Sequence, residues 1–371
     1  MLLKVHSRCN LACDHCYIYE HADQSWRGRP LVMSPAVVEQ TAARIAEHVI
    51  KHNLPFVIVI LHGGEPLLAG VEALDHAART IRQALAGHAK VALGVQTNGI
   101  LLDDRFLELF FRHRIRIGIS LDGPAAANDR HRKYADGRGS HAATIRALRR
   151  LQEPRYRDLY GGILCTVDLA NDPIEVFEHL SGFEPPEIDF LLPHGTWTRP
   201  PPGRHPDDPA TPYADWLIPI FDSWYDDEVQ EIRIRFFESL ISLLLGGPSG
   251  SESIGLAPVD LITVETDGTI EQGDVLKITA PGAPATGLHV TWNSFDEYLE
   301  HPGVQARQSG LAGLSDTCRR CSIVQVCGGG LYAHRYQAEN GFDNPSIYCA
   351  DLAKLVRHVA GRLATDLPPA R

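Results

Sequence analysis

Short apolar, β-branched runs alternate along this chain with longer segments whose apolar residues recur every three to four positions. LLKVHS reads as a strand near Leu2–Ser7, and helical periodicity follows over Pro35–His52. Strand Phe56–Leu61, helix Val71–His88 and strand Val91–Gln96 continue the alternation, then helix Asp103–Arg112 and strand Ile115–Leu121. Helix Ala142–Gln152, strand Gly162–Val167, helix Ile174–Leu180 and strand Ile188–Leu192 complete it. Six strand–helix units in about 190 residues predict an α/β fold with a parallel sheet and outer helices. Six rather than eight predicts an open, partial (β/α)6 barrel of the TIM type.

Beyond the sixth strand the pattern breaks. Pro193–Pro212 is dense in proline and charge and reads as a loop. Trp216, Leu217, Ile220, Phe221 and Trp224 then fall at helical spacing within Tyr213–Asp227, a face suited to closing a core. A strand at Ile232–Phe237 and a helix to Leu245 end a first domain of residues 1–250. From Asp260 the string LITVETDGTIEQGDVLKI, with its Asp267–Gly268 turn, predicts a hairpin. It opens a smaller, loop-rich second domain, 251–371, with a C-terminal helix and a frayed tail from Ala364 to Arg371.

Composition narrows the class. The 371 residues are 44% hydrophobic, which suits a folded globular chain and not a disordered or fibrous one. A formal charge of −11 argues against a nucleic-acid or anionic-membrane partner. No apolar run approaches the roughly 20 residues of a membrane span. The start MLLKVHSRC lacks the pattern of a signal peptide, so a cytoplasmic location is expected. Cysteines would stay reduced there, which favours metal ligation for seven of the eight. The eighth, Cys165 in GGILCTVD, reads as a small buried hydrophobe.

Candidate chemistry begins at CNLACDHCY, where Cys9, Cys13 and Cys16 follow the first strand. The C-x3-C-x2-C spacing is a poor zinc signature. Thiolates on one short loop suit a four-iron cluster with one iron left open, although spacing alone also admits a structural or disulfide arrangement. Polar strings end the next strands: His62-Gly63-Gly64-Glu65-Pro66, then Gln96-Thr97-Asn98-Gly99, then Ser120-Leu121-Asp122-Gly123. Singly, each is an ordinary turn or helix cap. Together, at successive strand ends of a barrel, they mark a ligand site.

The triad with GGEP, QTNG and SLDG resembles the radical S-adenosylmethionine (radical SAM) superfamily over nearly the whole chain. The resemblance implies that Cys9, Cys13 and Cys16 ligate a [4Fe–4S] cluster whose fourth iron chelates SAM. It places Gly63, Gly64 and Glu65 on the methionyl part, Ser120 and Asp122 on the ribose, and Gln96 and Asn98 in the pocket. His131, Arg132 and Arg138, in the loop after SLDG, could bind the SAM carboxylate or face water.

A second group, Cys318, Cys321 and Cys327 in CRRCSIVQVC with Cys349 further on, could by spacing hold zinc or iron. It resembles the SPASM extension of peptide-modifying radical SAM enzymes, with a departure. Gly273 stands in the hairpin, before Asp274, and Leu331 stands later, where a second auxiliary cluster would want cysteines. One auxiliary [4Fe–4S] cluster closed by four thiolates is therefore implied.

The strings CDHCYIYEH, VETDGTIEQGD and CGGGLYAHRY are similar to FxsB-type maturases, which join an aromatic ring to a β-carbon two residues on as a three-residue cyclophane. A thioether-forming or sulfatase-type maturase is the alternative. The resemblance implies hydrogen abstraction by a 5′-deoxyadenosyl radical, then loss of one electron and one proton from the arene. Asp274 and His194 are the candidate proton acceptors. The expected partners are a precursor peptide, a flavodoxin or ferredoxin electron donor, and a separate leader-recognition protein as one route to peptide binding.

Overall fold

The computed structural model describes residues 1–205 and 208–366. Residues 367–371 of the expected frayed tail lie outside them. The chain forms two compact units, each assembled from separated stretches. The first comprises Met1–Leu121, Ala125–Ile163 and Asp260–Gln305. The second comprises Asp122–Pro124, Leu164–Val259 and the chain from Ala306 on. The hairpin region, expected in a domain beginning at residue 251, thus packs in the unit of the first strands.

In the first unit lie strands β1 (Leu2–His6), β2 (Phe56–Gly63), β3 (Lys90–Thr97) and β4 (Ile115–Ser120), with helices α1 (Pro35–His52), α2 (Val71–Ala84) and α3 (Asp104–His113) between them. Helices α4 (Ala125–His131) and α5 (His141–Leu151) follow, leading to β5 (Tyr160–Thr166). Strands β1 to β4 are parallel neighbours, as the alternation predicts. Local chemistry explains the helix limits. Ser34 Oγ accepts from Val37 N–H and Pro35 starts α1, while Asn53 ends it in the left-handed region. Val38, Ala42, Ile45 and Val49 are its buried stripe.

The second unit contains α6 (Pro173–Ser181), β6 (Glu187–Leu191), α7 (Pro212–Tyr225), β7 (Arg233–Ile234) and α8 (Arg235–Leu244). Strand β6 pairs in parallel with β7, Ile188 opposite Ile234. Trp216, Leu217, Ile220, Phe221 and Trp224 are buried, as their spacing implies. The strand expected over Ile232–Phe237 is only two residues long. Phe236, Phe237 and Leu240 bury one helical face instead, so the helix starts at Arg235.

Back in the first unit, β8 (Thr263–Val264) and β9 (Thr269–Glu271) form the hairpin about Asp267–Gly268, and β8 runs parallel to β1. The hairpin is shorter than its sequence suggests. At Gly273, with φ of 143°, the chain leaves the sheet and Asp274–Ile278 coils into a 3-10 turn. An unforeseen strand, β10 (Ala285–His289), then pairs with β9. Helices α9 (Phe295–Leu299), α10 (Pro302–Gln308), α11 (Asp316–Arg319), α12 (Val324–Cys327) and α13 (Cys349–Asp366) complete the chain, the last three in the second unit.

Candidate active site

Cys9, Cys13 and Cys16 lie on the loop that leaves β1, half-buried and unbridged. Backbone and side-chain bonds hold this loop: Ala12 N–H donates to Lys133 O at 2.7 Å, and Tyr19 Oη to Ser7 O at 3.1 Å. Burial pushes the Cys9 thiol up to about 12, and Glu65, Cys13 and Cys16 raise it further against a backbone donor at Leu11. Three thiols near enough to oppose one another's ionisation form a donor set that a cationic group satisfies. The set fits an iron–sulfur cluster with one iron not ligated by protein.

The glycines of the second strand end are dictated by this loop. A Cβ on Gly63 would lie 2.3 Å from His6 O, and one on Gly64 would lie 1.8 Å from Tyr19 Oη and 2.5 Å from Arg8 O. Gly64 N–H donates to His6 O and Glu65 N–H to Arg8 O, both at 2.9 Å, so the strand end is stitched to the thiol loop. The Glu65 side chain points into protein. It accepts from Leu67 N–H at 2.9 Å, Thr97 Oγ1 at 2.7 Å and Asn98 N–H at 2.9 Å. Burial raises its pKa to about 7 against those three donors. Glu65 thus joins two strand ends, a role its motif did not reveal.

The other strand-end residues each have a partner of their own. Asn98 Nδ2 donates to Asn10 Oδ1 at 2.8 Å and lies 3.8 Å from Cys9 Sγ. Gln96 Nε2 donates to Ser120 Oγ at 3.0 Å. Asp122, in the second unit, accepts from Thr166 N–H at 2.8 Å. His131 Nδ1 is 2.9 Å from Asp14, between two of the cysteines, whereas Arg138 pairs with Asp136 at an exposed site. The Arg132 charge lowers the Cys16 pKa, against the burial that raises it.

Asp274 occupies the start of the 3-10 turn and is buried. Its Oδ2 accepts from Lys4 Nζ at 2.6 Å, and Lys4 Nζ lies 3.4 Å from His62 Nδ1. Oδ1 has no hydrogen-bond partner among the described residues. Burial would raise the Asp274 pKa, but Lys4, then Lys277 and His62, hold it at about 2. Burial and Lys4 together depress His62 to about 4. Behind this pair, Lys277 Nζ donates to Glu265 at 3.0 Å and Glu271 at 2.8 Å. Lys4 was missed from sequence, although a lysine inside the apolar run LLKVH was the available signal.

In the second unit, Cys318, Cys321, Cys327 and Cys349 are gathered and unbridged. Burial pushes Cys327 up to about 11, and Cys349, Cys318 and Cys321 add to the effect. The following Gly328, Gly329 and Gly330 have φ of 59°, 79° and 68°, a left-handed run that favours glycine. The buried Arg335 guanidinium donates to all three carbonyls, at 2.7, 3.0 and 2.9 Å. Four thiols fit a cluster closed by protein ligands. His194 lies in this unit, its ring centroid 5.7 Å from that of buried His334. Cys165 is buried, as its apolar neighbours imply.

Residues 3–172 match the sequence model of the Radical SAM superfamily. The chain has the α/β radical SAM fold. It is a radical SAM enzyme, and SAM with a [4Fe–4S] cluster is the cofactor set of that superfamily. The cysteine-type anaerobic sulfatase-maturating enzyme of Clostridium perfringens (strain 13 / Type A) is 23% identical over 96% of this chain and 95% of its own. The structure of native anSMEcpe with bound AdoMet and Kp18Cys peptide superposes with a TM-score of 0.85 at 21% identity, covering 99% of this chain and 98% of that one. Streptococcus suis SuiB bound to precursor peptide SuiA gives 0.57 at 12% identity, over 94% of this chain and 75% of that one. These structures share the fold. No described helix is long and apolar enough to cross a membrane.

Proposed function

We propose that this radical SAM enzyme modifies a ribosomally made peptide by joining an aromatic ring to the β-carbon of a residue two positions on, as a three-residue cyclophane. Residues 1–250 would carry SAM cleavage, with Cys9, Cys13 and Cys16 as cluster ligands, Gly63, Gly64 and Glu65 beside the methionyl group, Gln96, Asn98, Ser120 and Asp122 lining the remainder. Residues 251–371 would carry one auxiliary [4Fe–4S] cluster on Cys318, Cys321, Cys327 and Cys349. A flavodoxin or ferredoxin would supply the electron. Recognition of the leader would fall to this chain or to a separate protein.

When bound, SAM on the reduced cluster supplies a carbon-centred radical that takes a hydrogen atom from an unactivated C–H bond. Attack of the resulting substrate radical on the ring forms the C–C bond, and one electron and one proton must then leave to restore aromaticity. Asp274 supports the reading as proton acceptor: Oδ2 is held by Lys4 while Oδ1 stays without a partner among the described residues. Its low pKa is no obstacle, because the oxidised ring is strongly acidic and needs an ionised acceptor, not a strong base. His194 beside His334 is the second candidate. The four gathered thiols support a closed electron acceptor.

The observation that carries the reading is the buried Asp274 Oδ1, without a hydrogen-bond partner among the described residues. A sulfatase-type or thioether-forming maturase is the second reading, and the curated relatives of similar length favour its sulfatase-type form. Tandem mass spectrometry of a candidate precursor peptide co-expressed with the enzyme at low oxygen separates them. Loss of two hydrogens with no fragmentation between an aromatic residue and the residue two positions later supports the cyclophane. The same loss at a cysteine linked through sulfur gives a thioether, and conversion of cysteine to an aldehyde gives the sulfatase-type activity.

A further inference from the structure

Three groups of potential ligand atoms in the first unit differ in what already neutralises them. Glu265, Glu271 and Asp274 enclose Lys277, with Lys4 on Asp274, so their charge is met internally. Asp14, His15 and His131 adjoin Cys13 and Cys16 and belong to the site above. His48, His52 and Asp296 differ in that the lysine on their carboxylate, Lys51, is exposed and not buried.

His48 and His52 stand four residues apart near the end of α1, so their imidazoles share one helix face. Asp296 sits in the first turn of α9, which a capping box between Ser294 and Glu297 fixes in place. His48 Nδ1 and His52 Nε2 each lie 2.8 Å from the same oxygen, Asp296 Oδ1. The rings are 4.4 Å apart between centroids, and Phe295 buttresses His48 edge-on. The other carboxylate oxygen meets Lys51 Nζ, whose side chain is 64% exposed and free to swing into water.

Two imidazole nitrogens and a carboxylate oxygen converging on one point from two rigid elements are the donor set of a borderline divalent cation. Metal–nitrogen and metal–oxygen bonds of about 2.0–2.2 Å place neighbouring donors about 3.0–3.5 Å apart, so each imidazole nitrogen needs to move only a few tenths of an ångström from the carboxylate oxygen, and the three ligand atoms already lie within 4.8 Å of one another. Nothing in the set is a thiolate, which separates it from the iron–sulfur chemistry. We propose that His48, His52 and Asp296 bind a divalent transition-metal cation, zinc in the first instance, with water completing its coordination, and that this ion ties α1 to α9. Loss of Lys51 from the carboxylate is the accompanying change.

The test uses full-length, tag-free enzyme with its iron–sulfur clusters loaded, titrated anaerobically with Zn2+ by calorimetry, beside His52→Gln and Asp296→Asn. One zinc equivalent should bind in wild type and be lost or weakened at least about tenfold in both variants, with iron content unchanged. Zinc should also raise the thermal midpoint of wild type and leave both variants unmoved. Co2+ in the same site should give ligand-field bands without sulfur-to-cobalt charge transfer. Equal zinc binding by wild type and variants, no zinc binding by wild type, or a thiolate spectrum for cobalt would each overturn the assignment.

Discussion

Lys4 and Asp274, 270 residues apart in sequence, form a 2.6 Å ion pair in which both side chains are at most 3% exposed. Removing one partner from such a pair strands the other charge in protein. Lys4→Met should therefore lower stability by about 3–5 kcal/mol, and adding Asp274→Asn should recover much of the loss. Urea unfolding of the two single variants and the double variant measures this, and additive losses would show that the pair is not coupled.

Replacement of Asp274 by Asn also tests its chemical role. The variant should still form 5′-deoxyadenosine but yield at least about tenfold less crosslinked peptide. Because Asp274 is held at about 2, below its ordinary 3.8, it stays ionised at all ordinary pH values. Its contribution to stability is present above pH 3.8 and lost as pH falls toward 2. The wild-type crosslinking rate should accordingly show no acid limb from this group between about pH 5 and 8. Undiminished crosslinking by the Asn variant would remove Asp274 from the mechanism.

Glu65 behaves in the opposite sense. Its folded pKa of about 7 lies above the ordinary 4.5, so the folded state holds the proton more tightly than the unfolded chain. The stability it contributes is full below pH 4.5 and is lost as pH rises through 7. Glu65→Gln cannot titrate. Between pH 4.5 and 7.5, wild type should lose about 3 kcal/mol relative to the variant in paired denaturation curves.

At Gly64 the prediction concerns space. An added methyl group meets Tyr19 Oη at 1.8 Å and Arg8 O at 2.5 Å. Gly64→Ala should lower SAM affinity at least about tenfold and reduce cluster occupancy. Adding Tyr19→Phe should not restore either, because the Arg8 carbonyl remains. Equilibrium SAM binding and iron analysis of the single and double variants provide the check.

For the second thiol group, Cys327→Ala should reduce bound iron by about half while SAM cleavage persists and crosslinking fails. Iron content, 5′-deoxyadenosine and peptide product measured on one preparation distinguish this outcome from general misfolding, in which all three fall together.

Much of the first unit was legible because apolar period and caps agree there: Ser34 and Asn53 bound α1 where the pattern says they should. The thiol positions and strand-end strings were legible for a similar reason, since each is short and local. What escaped was set by distant packing. VLKI after Asp274 alternates like a strand, yet Gly273 turns the chain and Lys277 is drawn to Glu265 and Glu271, giving a 3-10 turn. AAANDRH has no apolar stripe long enough to announce α4. The tie from Glu65 to Thr97 and Asn98 escaped because those partners come from the next strand. Lys4 could only be matched to Asp274 once β1 and β8 were known to be neighbours.

The three carbonyls that Arg335 gathers from Gly328, Gly329 and Gly330 bear on the order of events in maturation. A loop whose curvature is set by a guanidinium within its own polypeptide holds its form before any iron arrives. Were Cys327 and its companions to hold the proposed cluster, its assembly would resemble filling a mould, and a cluster lost to oxygen would be rebuilt in place without the polypeptide having to unfold.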